Sequence, residues 1–124
     1  MLVKAYYLTG GALDWAVAKF YLSGSSLFDN PDFVSQFVNN PNRRYWCYST
    51  ETAFAIAMLQ EYKISLVHVE DDDPYPIDDG PWSANIPGQE HGYTGPTPEI
   101  AICRCVVAYK LGEDIEIPDE LLKV

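Results

Sequence analysis

The stretch GPTPEIAICRCVVAYKLG at residues 95–112 contains the start, the body and the end of one helix. Thr97 can cap the first turn by accepting a backbone hydrogen bond, and Pro98 suits the first helical position because its missing N–H would be unpaired there anyway. Gly112 follows the last apolar residue and supplies the left-handed conformation that commonly ends a helix. The stretch therefore predicts a helix over about 98–111.

The composition of this helix predicts burial on several sides. One apolar stripe at helical spacing consists of Ile100, Cys103, Val107 and Leu111, and further apolar residues cover the neighbouring faces. Such a helix packs broadly, typically across a sheet. Arg104 lies among these apolar residues, so we expect its guanidinium either to reach the helix edge with its stem buried or to pair with an acid of the C-terminal tail.

The rest of the chain predicts two more helices and a hairpin. Apolar spacing indicates the helices, while β-branched residues and then a clean alternation indicate the strands. These elements are helices over about 11–21 and 51–62 and strands over about 64–69 and 82–86, with the acidic hairpin loop 70–81 between the strands. This order predicts an α+β fold: a single, small two-layer domain over 1–124, with a short antiparallel sheet packed by helices.

Three other segments complete the predicted organisation. Residues 2–8 read as a short edge strand with Val3, Ala5 and Tyr7 on one face. The segment 22–47 reads as an irregular insertion and a surface feature, interrupted by a short helical turn that uses Phe33, Phe37 and Val38. The loop 87–95 leads to the last helix. The acidic tail 113–124 is expected to be extended, with Ile115 and Ile117 against the body.

Length and composition are those of one folded domain. The 124 residues are enough for a real core, and 48% hydrophobic with 14% aromatic residues is typical of globular proteins. No apolar run reaches the roughly 18–20 residues that cross a bilayer. The first residues lack the pattern of a signal peptide. We therefore expect a cytoplasmic protein.

The three cysteines predict neither a disulfide framework nor a metal site. Cys47 is isolated, and Cys103 and Cys105 lie two apart on one helix, so no C-x-x-C pair exists. Buried thiols that act as small apolar residues are the favoured interpretation. A catalytic thiol would need a histidine within reach, and His68 and His91 are the two candidates.

The net charge of −10 is concentrated in two segments. The hairpin loop contains Glu70, Asp71, Asp72, Asp73, Asp78 and Asp79. The tail contains Glu113, Asp114, Glu116, Asp119 and Glu120. The remaining acids nearly balance the eight basic residues, so the body is close to neutral. Direct contact with a nucleic-acid backbone is disfavoured because it needs clustered Lys and Arg, whereas a protein partner with a basic patch fits this charge.

Neither a metal nor a cofactor is expected from these residues. The acidic loop lacks the ligand spacing and the glycine of a calcium-binding EF-hand, which favours a plain solvated loop. The partner-binding candidates within it are Asp71, Asp72, Asp73, Asp78 and Asp79. A second candidate patch is Arg43, Arg44, Tyr45 and Trp46, since aromatic residues and arginine are enriched at binding hot spots, although core packing explains such aromatics as readily.

Several phrases in this sequence resemble the NinX-like proteins of tailed bacteriophages and prophages. They are LTGGALDWAVAK at 8–19, YST at 48–50, WSA at 82–84 and the whole of 95–118, which together make up roughly half of the chain. The residues that carry the resemblance are Trp15, Tyr48, Trp82, Gly95, Pro96, Thr97, Arg104 and Gly112. The sequence departs from the family pattern in 20–47, in the Asp-rich loop and around Gln89–His91.

The resemblance implies a phage-borne protein of a family without established catalytic residues, acting in the cytoplasm of the bacterial host. We expect a non-enzymatic accessory protein that works by protein binding. A sharper version is an acidic inhibitor that imitates nucleic acid and occupies a host defence or DNA-binding protein. The alternatives are a small-molecule-binding domain or enzyme with a pocket between sheet and helices, lined by Trp82, Tyr48 and Arg104, and a mainly structural or oligomerising domain.

Overall fold

The computed structural model describes residues 1–22, 26–38, 46–68, 80–89 and 92–122. The helices in this part of the chain are α1 (Gly10–Tyr21), α2 (Pro31–Val34), α3 (Thr52–Tyr62) and α4 (Pro98–Leu111). The strands are β1 (Leu2–Lys4), β2 (Ser65–His68), β3 (Trp82–Asn85), β4 (Tyr93–Gly95) and β5 (Asp114–Glu116). The predicted α+β class, the three predicted helices and the hairpin are confirmed.

Helix α4 packs across one face of the three-stranded antiparallel sheet, whose strand order is β2-β3-β4. Ala84 of β3 lies opposite both Leu66 of β2 and Tyr93 of β4. The helix approaches β4 so closely that a Cβ on Gly95 would lie 2.8 Å from the backbone nitrogen of Ala101. Gly95 is thus required by the contact between the two layers.

The boundaries of α4 coincide with those predicted. The Thr97 hydroxyl accepts a hydrogen bond from the backbone N–H of Ile100 over 3.2 Å, and Gly112 ends the helix with φ 92°. Every residue from 101 to 108 is buried. Helix α4 contacts α1, α3, β3 and β4, which is why its apolar residues cover more than one face.

The first strand is shorter than predicted. β1 ends at Lys4, and Ala5–Tyr7 form a 3-10 turn that buries Ala5 and exposes Tyr7, so the expected shared face of these residues is wrong. β1 pairs with β5 of the tail as an antiparallel ribbon. The expectation that Ile115 and Ile117 pack against the body is confirmed, since both are buried.

One strand lies in the segment predicted as a loop. β4 comprises three residues between Gly92 and Pro96, too few to show a periodic pattern. It forms because β3 offers an unpaired edge and because α4 covers Tyr93, both of which are long-range contacts. Local sequence could therefore not reveal it.

The described part of the segment 22–47 is not merely a surface feature. The Asn30 side chain caps α2 by accepting from the backbone N–H of Asp32 over 2.9 Å, as expected for a short helical turn. Phe33 and Phe37 are 2% and 0% exposed and belong to the main core, with their rings 5.2 Å apart in an edge-on contact. Val38 alone of the three predicted apolar residues is exposed.

We predict that Phe33→Ala lowers the free energy of unfolding by about 3–5 kcal/mol, because it leaves a cavity under α2. Urea denaturation followed by circular dichroism measures this change. The matched control is Val38→Ala in the same segment, which should change stability by no more than about 0.5 kcal/mol. Equal unfolding midpoints for Phe33→Ala and the wild type would show that the segment does not contribute to the core.

Candidate functional site

The β1–β5 ribbon turns one face inward and presents the other to solvent. Val3 and Ile115 are paired partners and point into the body, and Ile115 is buried. Side chains of directly opposite residues share a face, so Leu2 lies beside Glu116 and Lys4 beside Asp114 on the outer side. The ribbon is further closed by the backbone N–H of Ile117, which donates to the Met1 carbonyl over 3.0 Å.

Three carboxylates lie on the outer side of the ribbon or beside it, and each is paired with an amine. We call Leu2, Asp114, Glu116 and Asp119 the acidic ribbon face. Asp114 pairs with the Lys4 ammonium at 2.7 Å, while the Met1 amine lies 2.6 Å from Glu116 and 3.6 Å from Asp119. These hydrogen bonds raise the pKa of both amines. Since the pairs are exposed, they orient the carboxylates more than they stabilise the fold.

Exposed apolar side chains accompany these acids. Leu2, the first residue of β1, is 62% exposed opposite Glu116, and Tyr7 in the following turn is also 62% exposed. The Tyr7 ring rests on that of Tyr6 with centroids 4.5 Å apart. Exposed apolar and aromatic groups beside charged ones are typical of protein-binding surfaces.

Arg104 is fully enclosed and does not reach the helix edge. It is 5% exposed, its Nε donates to the Leu8 carbonyl over 2.7 Å, and its Nη1 donates to the Thr94 carbonyl over 2.7 Å. The guanidinium therefore joins α4 to the segment before α1 and to β4. The expected exit along the helix edge is wrong, and these donors serve the scaffold instead of a pocket.

Sequence reasoning missed a second buried polar contact, between Asp14 and Ser49. Asp14 is 0% exposed, and its Oδ1 accepts from the backbone N–H of Ser49 over 2.6 Å. The available signal was an acid in the middle of the apolar run ALDWAV of α1. This contact fixes the Tyr48–Thr50 turn against α1 and explains why the acid is tolerated there.

The thiols of α4 are buried and protonated at neutral pH. Cys103 Sγ donates to the Tyr48 carbonyl over 3.7 Å, and Cys105 Sγ donates to Gln89 Oε1 over 3.1 Å. Burial, with Asp14 and Glu99 nearby, raises the pKa of Cys103, and burial raises the pKa of Cys105 to about 12. The thiolate is the nucleophilic form, so neither thiol is activated. The expectation of buried apolar cysteines is confirmed for these two.

Trp46, predicted as part of a partner-binding patch, packs against the core phenylalanines. Its ring stacks on Phe37 at 5.8 Å, meets Phe33 edge-on at 5.4 Å, and its indole N–H donates to Gln36 Oε1 over 2.5 Å. Its φ of 59° is left-handed, which is costly for a bulky residue and is held by these contacts. Arg43, Arg44 and Tyr45 of the same predicted patch lie outside the described residues.

The residues that carry the family resemblance occupy scaffold positions. Trp15 is 7% exposed, the Tyr48 ring lies tilted against that of Phe54 with centroids 4.8 Å apart, and Trp82 meets the His68 ring edge-on at 4.8 Å. Gly95, Thr97, Arg104 and Gly112 shape the packing and the ends of α4, and Pro96 is the exposed residue between strand and cap. Their contacts are those of the scaffold.

The acidic candidates of the hairpin loop, Asp71, Asp72, Asp73, Asp78 and Asp79, lie outside the described residues, as does His91. Within the described part, no three His, Cys, Asp or Glu side chains are grouped to hold a metal ion. No helix found there has the length and apolar character needed to cross a membrane.

No family model, curated protein or solved structure matches this chain. The resemblance to NinX-like proteins therefore stays a prediction.

We predict that Arg104→Met lowers the free energy of unfolding by about 2–4 kcal/mol, because it leaves the buried carbonyls of Leu8 and Thr94 without their donor. Chemical denaturation measures the change. Lys110→Met is the matched control on the same helix, and its cost should stay below about 1 kcal/mol. Similar losses for both variants would mean that the buried hydrogen bonds add nothing beyond the general loss of a positive charge from α4.

We predict that stability falls with rising pH above the ordinary pKa of a thiol. The folded state holds the protons of Cys103 and Cys105 while the unfolded chain releases them, so the unfolded state binds fewer protons. Between about pH 9 and about pH 11 the two thiols should together lower the free energy of unfolding by about 2 kcal/mol per pH unit, because each proton released only by the unfolded chain contributes about 1.4 kcal/mol per pH unit.

Urea denaturation at several pH values measures this slope. The control is the double variant Cys103→Ala and Cys105→Ala, in which the slope should become shallower. An unchanged slope in that variant would assign the alkaline loss of stability to other groups.

Proposed function

We propose that the protein acts by binding another protein that presents a basic patch, and that the acidic ribbon face is part of the contact surface. The observation that carries this proposal is the arrangement of Asp114, Glu116 and Asp119 around exposed Leu2 on a ribbon whose inner side is anchored in the core. In the same proposal the protein is a non-enzymatic phage accessory protein of the host cytoplasm.

Charge and shape support this assignment together. Carboxylates attract a basic partner and raise its association rate, while the exposed side chain of Leu2 contributes affinity once water is excluded. The ribbon is a rigid platform because Val3 and Ile115 pack inward and because Ile117 and Met1 are hydrogen-bonded across it. A preformed surface loses less conformational entropy on binding than a flexible tail.

The partner class follows from the distribution of acids. A basic patch on a protein is commonly a nucleic-acid-binding surface, since contact with phosphates requires clustered Lys and Arg. An inhibitor that occupies the DNA-binding surface of a host protein, including a defence protein, is therefore the sharper form of this proposal. The five aspartates of the hairpin loop add further negative charge to the chain.

The test compares two variants that remove the same charge from different surfaces. The ribbon variant carries Asp114→Asn, Glu116→Gln and Asp119→Asn. The control variant carries Asp32→Asn, Glu51→Gln and Glu61→Gln, three exposed acids elsewhere. Each protein is used to capture partners from a bacterial lysate at low and at moderate salt, and the captured proteins are quantified by mass spectrometry.

We predict that a captured protein is retained by the wild type and the control but reduced about tenfold or more by the ribbon variant, and that moderate salt weakens its capture. Added duplex DNA should release it if its basic patch binds DNA. A separate variant with Asp71, Asp72 and Asp73 changed to Asn tests the loop. Equal capture by the ribbon and control variants, or capture that ignores salt, would exclude the acidic ribbon face as the contact.

A further inference from the structure

A cleft of about 520 Å³ opens where the C-terminal ends of α1, α3 and α4 meet, away from the acidic ribbon face. Its walls include Lys19 and Tyr21 of α1, Met58, Glu61 and Tyr62 of α3, and Lys110 of α4. This volume lies within the roughly 300–1,000 Å³ of small-molecule pockets. The cleft is therefore large enough for a ligand with a ring and a charged group.

The positive charge of the described residues is concentrated at this end of the molecule. Lys4 is paired with Asp114, and Arg104 is buried inside the scaffold. The remaining described lysines are Lys19, Lys63 and Lys110, one near the end of each of the three helices. In a chain of net charge −10, two of these lysines line one cleft opposite a single carboxylate, that of Glu61.

Among the described residues, the ammonium groups of Lys110 and Lys19 contact aromatic rings, and neither forms an ion pair with a carboxylate. Lys110 Nζ lies 5.2 Å from the ring centre of Tyr62, which lines the cleft, and 6.0 Å from that of Tyr109, and the two rings are in contact at 5.7 Å. Lys19 Nζ lies over Phe28 and Trp15, which are outside the cleft lining, so Lys110 is the cation that the cleft offers to a ligand. A ring orients an ammonium but does not neutralise it, so the charge stays available to an anion.

Helix geometry explains only part of this arrangement. Lysines near helix C-termini offset the partial negative charge of the last carbonyls. The interaction with the helix end does not require the Tyr62 and Tyr109 rings next to Lys110, nor apolar residues in the cleft. Met58, a lining residue, is buried, and Tyr21, another lining residue, is 56% exposed with its ring edge-on to Phe54 at 5.6 Å, which leaves ring surface on which a flat ligand can stack.

We propose that this cleft binds a small organic anion, a phosphate, sulfonate or carboxylate joined to a planar apolar group. The anionic group pairs with the Lys110 ammonium. The planar group packs between Tyr21 and Met58. This site is separate from the acidic ribbon face and does not depend on the protein-binding proposal.

Phenyl phosphate is the probe, titrated into the uniformly ¹⁵N-labelled full chain and followed by backbone amide shifts. Three comparison compounds separate the contributions: inorganic phosphate has the charge alone, benzyl alcohol has the ring alone, and phenethylamine has the ring with the opposite charge. We expect saturable shifts confined to residues 19–21, 58–62 and 109–111, with phenyl phosphate binding more tightly than any of the three.

Variants assign the contributions of individual side chains. Lys110→Gln should weaken the binding of phenyl phosphate about tenfold, which is the loss expected for one charge-assisted contact. Lys110→Arg keeps the charge and should retain binding. Tyr21→Ala should weaken the binding of phenyl phosphate but not that of inorganic phosphate. Lys63→Gln removes the same charge outside the cleft and should leave the dissociation constant unchanged.

Several results would overturn the proposal. They are an absence of saturable shifts in the cleft, equal or tighter binding of benzyl alcohol or phenethylamine, and equal weakening by Lys63→Gln and Lys110→Gln. Unfolding midpoints show whether each variant is folded. If Lys110→Gln does not fold, Lys110→Ala replaces it, and retention of wild-type affinity by Lys110→Ala would equally contradict the proposed site.

Discussion

The buried guanidinium of Arg104 is the contact on which the arrangement of the other elements depends. The guanidinium of an arginine stays protonated in a protein, so its burial requires hydrogen-bond partners within the core. Its donors meet the carbonyls of Leu8, just before α1, and of Thr94, in the middle of β4. One side chain of α4 thereby fixes both the entry to the first helix and the last strand of the sheet. Asp14 does the same for the turn that precedes α3 by accepting from Ser49.

Local sequence is sufficient to predict an element when the residues that begin and end it are its immediate neighbours in the chain. Helix α4 is predicted to the residue because Thr97, Pro98 and Gly112 act within one turn of its ends. Strands β2 and β3 are long enough to show composition and alternation. β4 is not, since its existence depends on the edge of β3 and on the cover provided by α4.

Burial was harder to predict than secondary structure. The helical turn around Phe33 and Phe37 was recognisable, but nothing local shows that both rings enter the main core while Val38 remains exposed. The role of Arg104 was missed for the same reason, because its partners are carbonyls of distant segments. Composition located the acids of the tail, whereas only the register of β1 with β5 shows that Leu2 and Glu116 share one face.

Two surfaces of opposite charge begin within a few residues of each other at the end of α4. Lys110 lines the cleft between three helix ends, whereas Asp114 pairs with Lys4 on the ribbon. Gly112 separates them, since its φ of 92° ends the helix and redirects the chain into β5. The lysine-lined cleft and the ribbon with its acids are therefore successive features of the chain, joined at the bend that Gly112 makes.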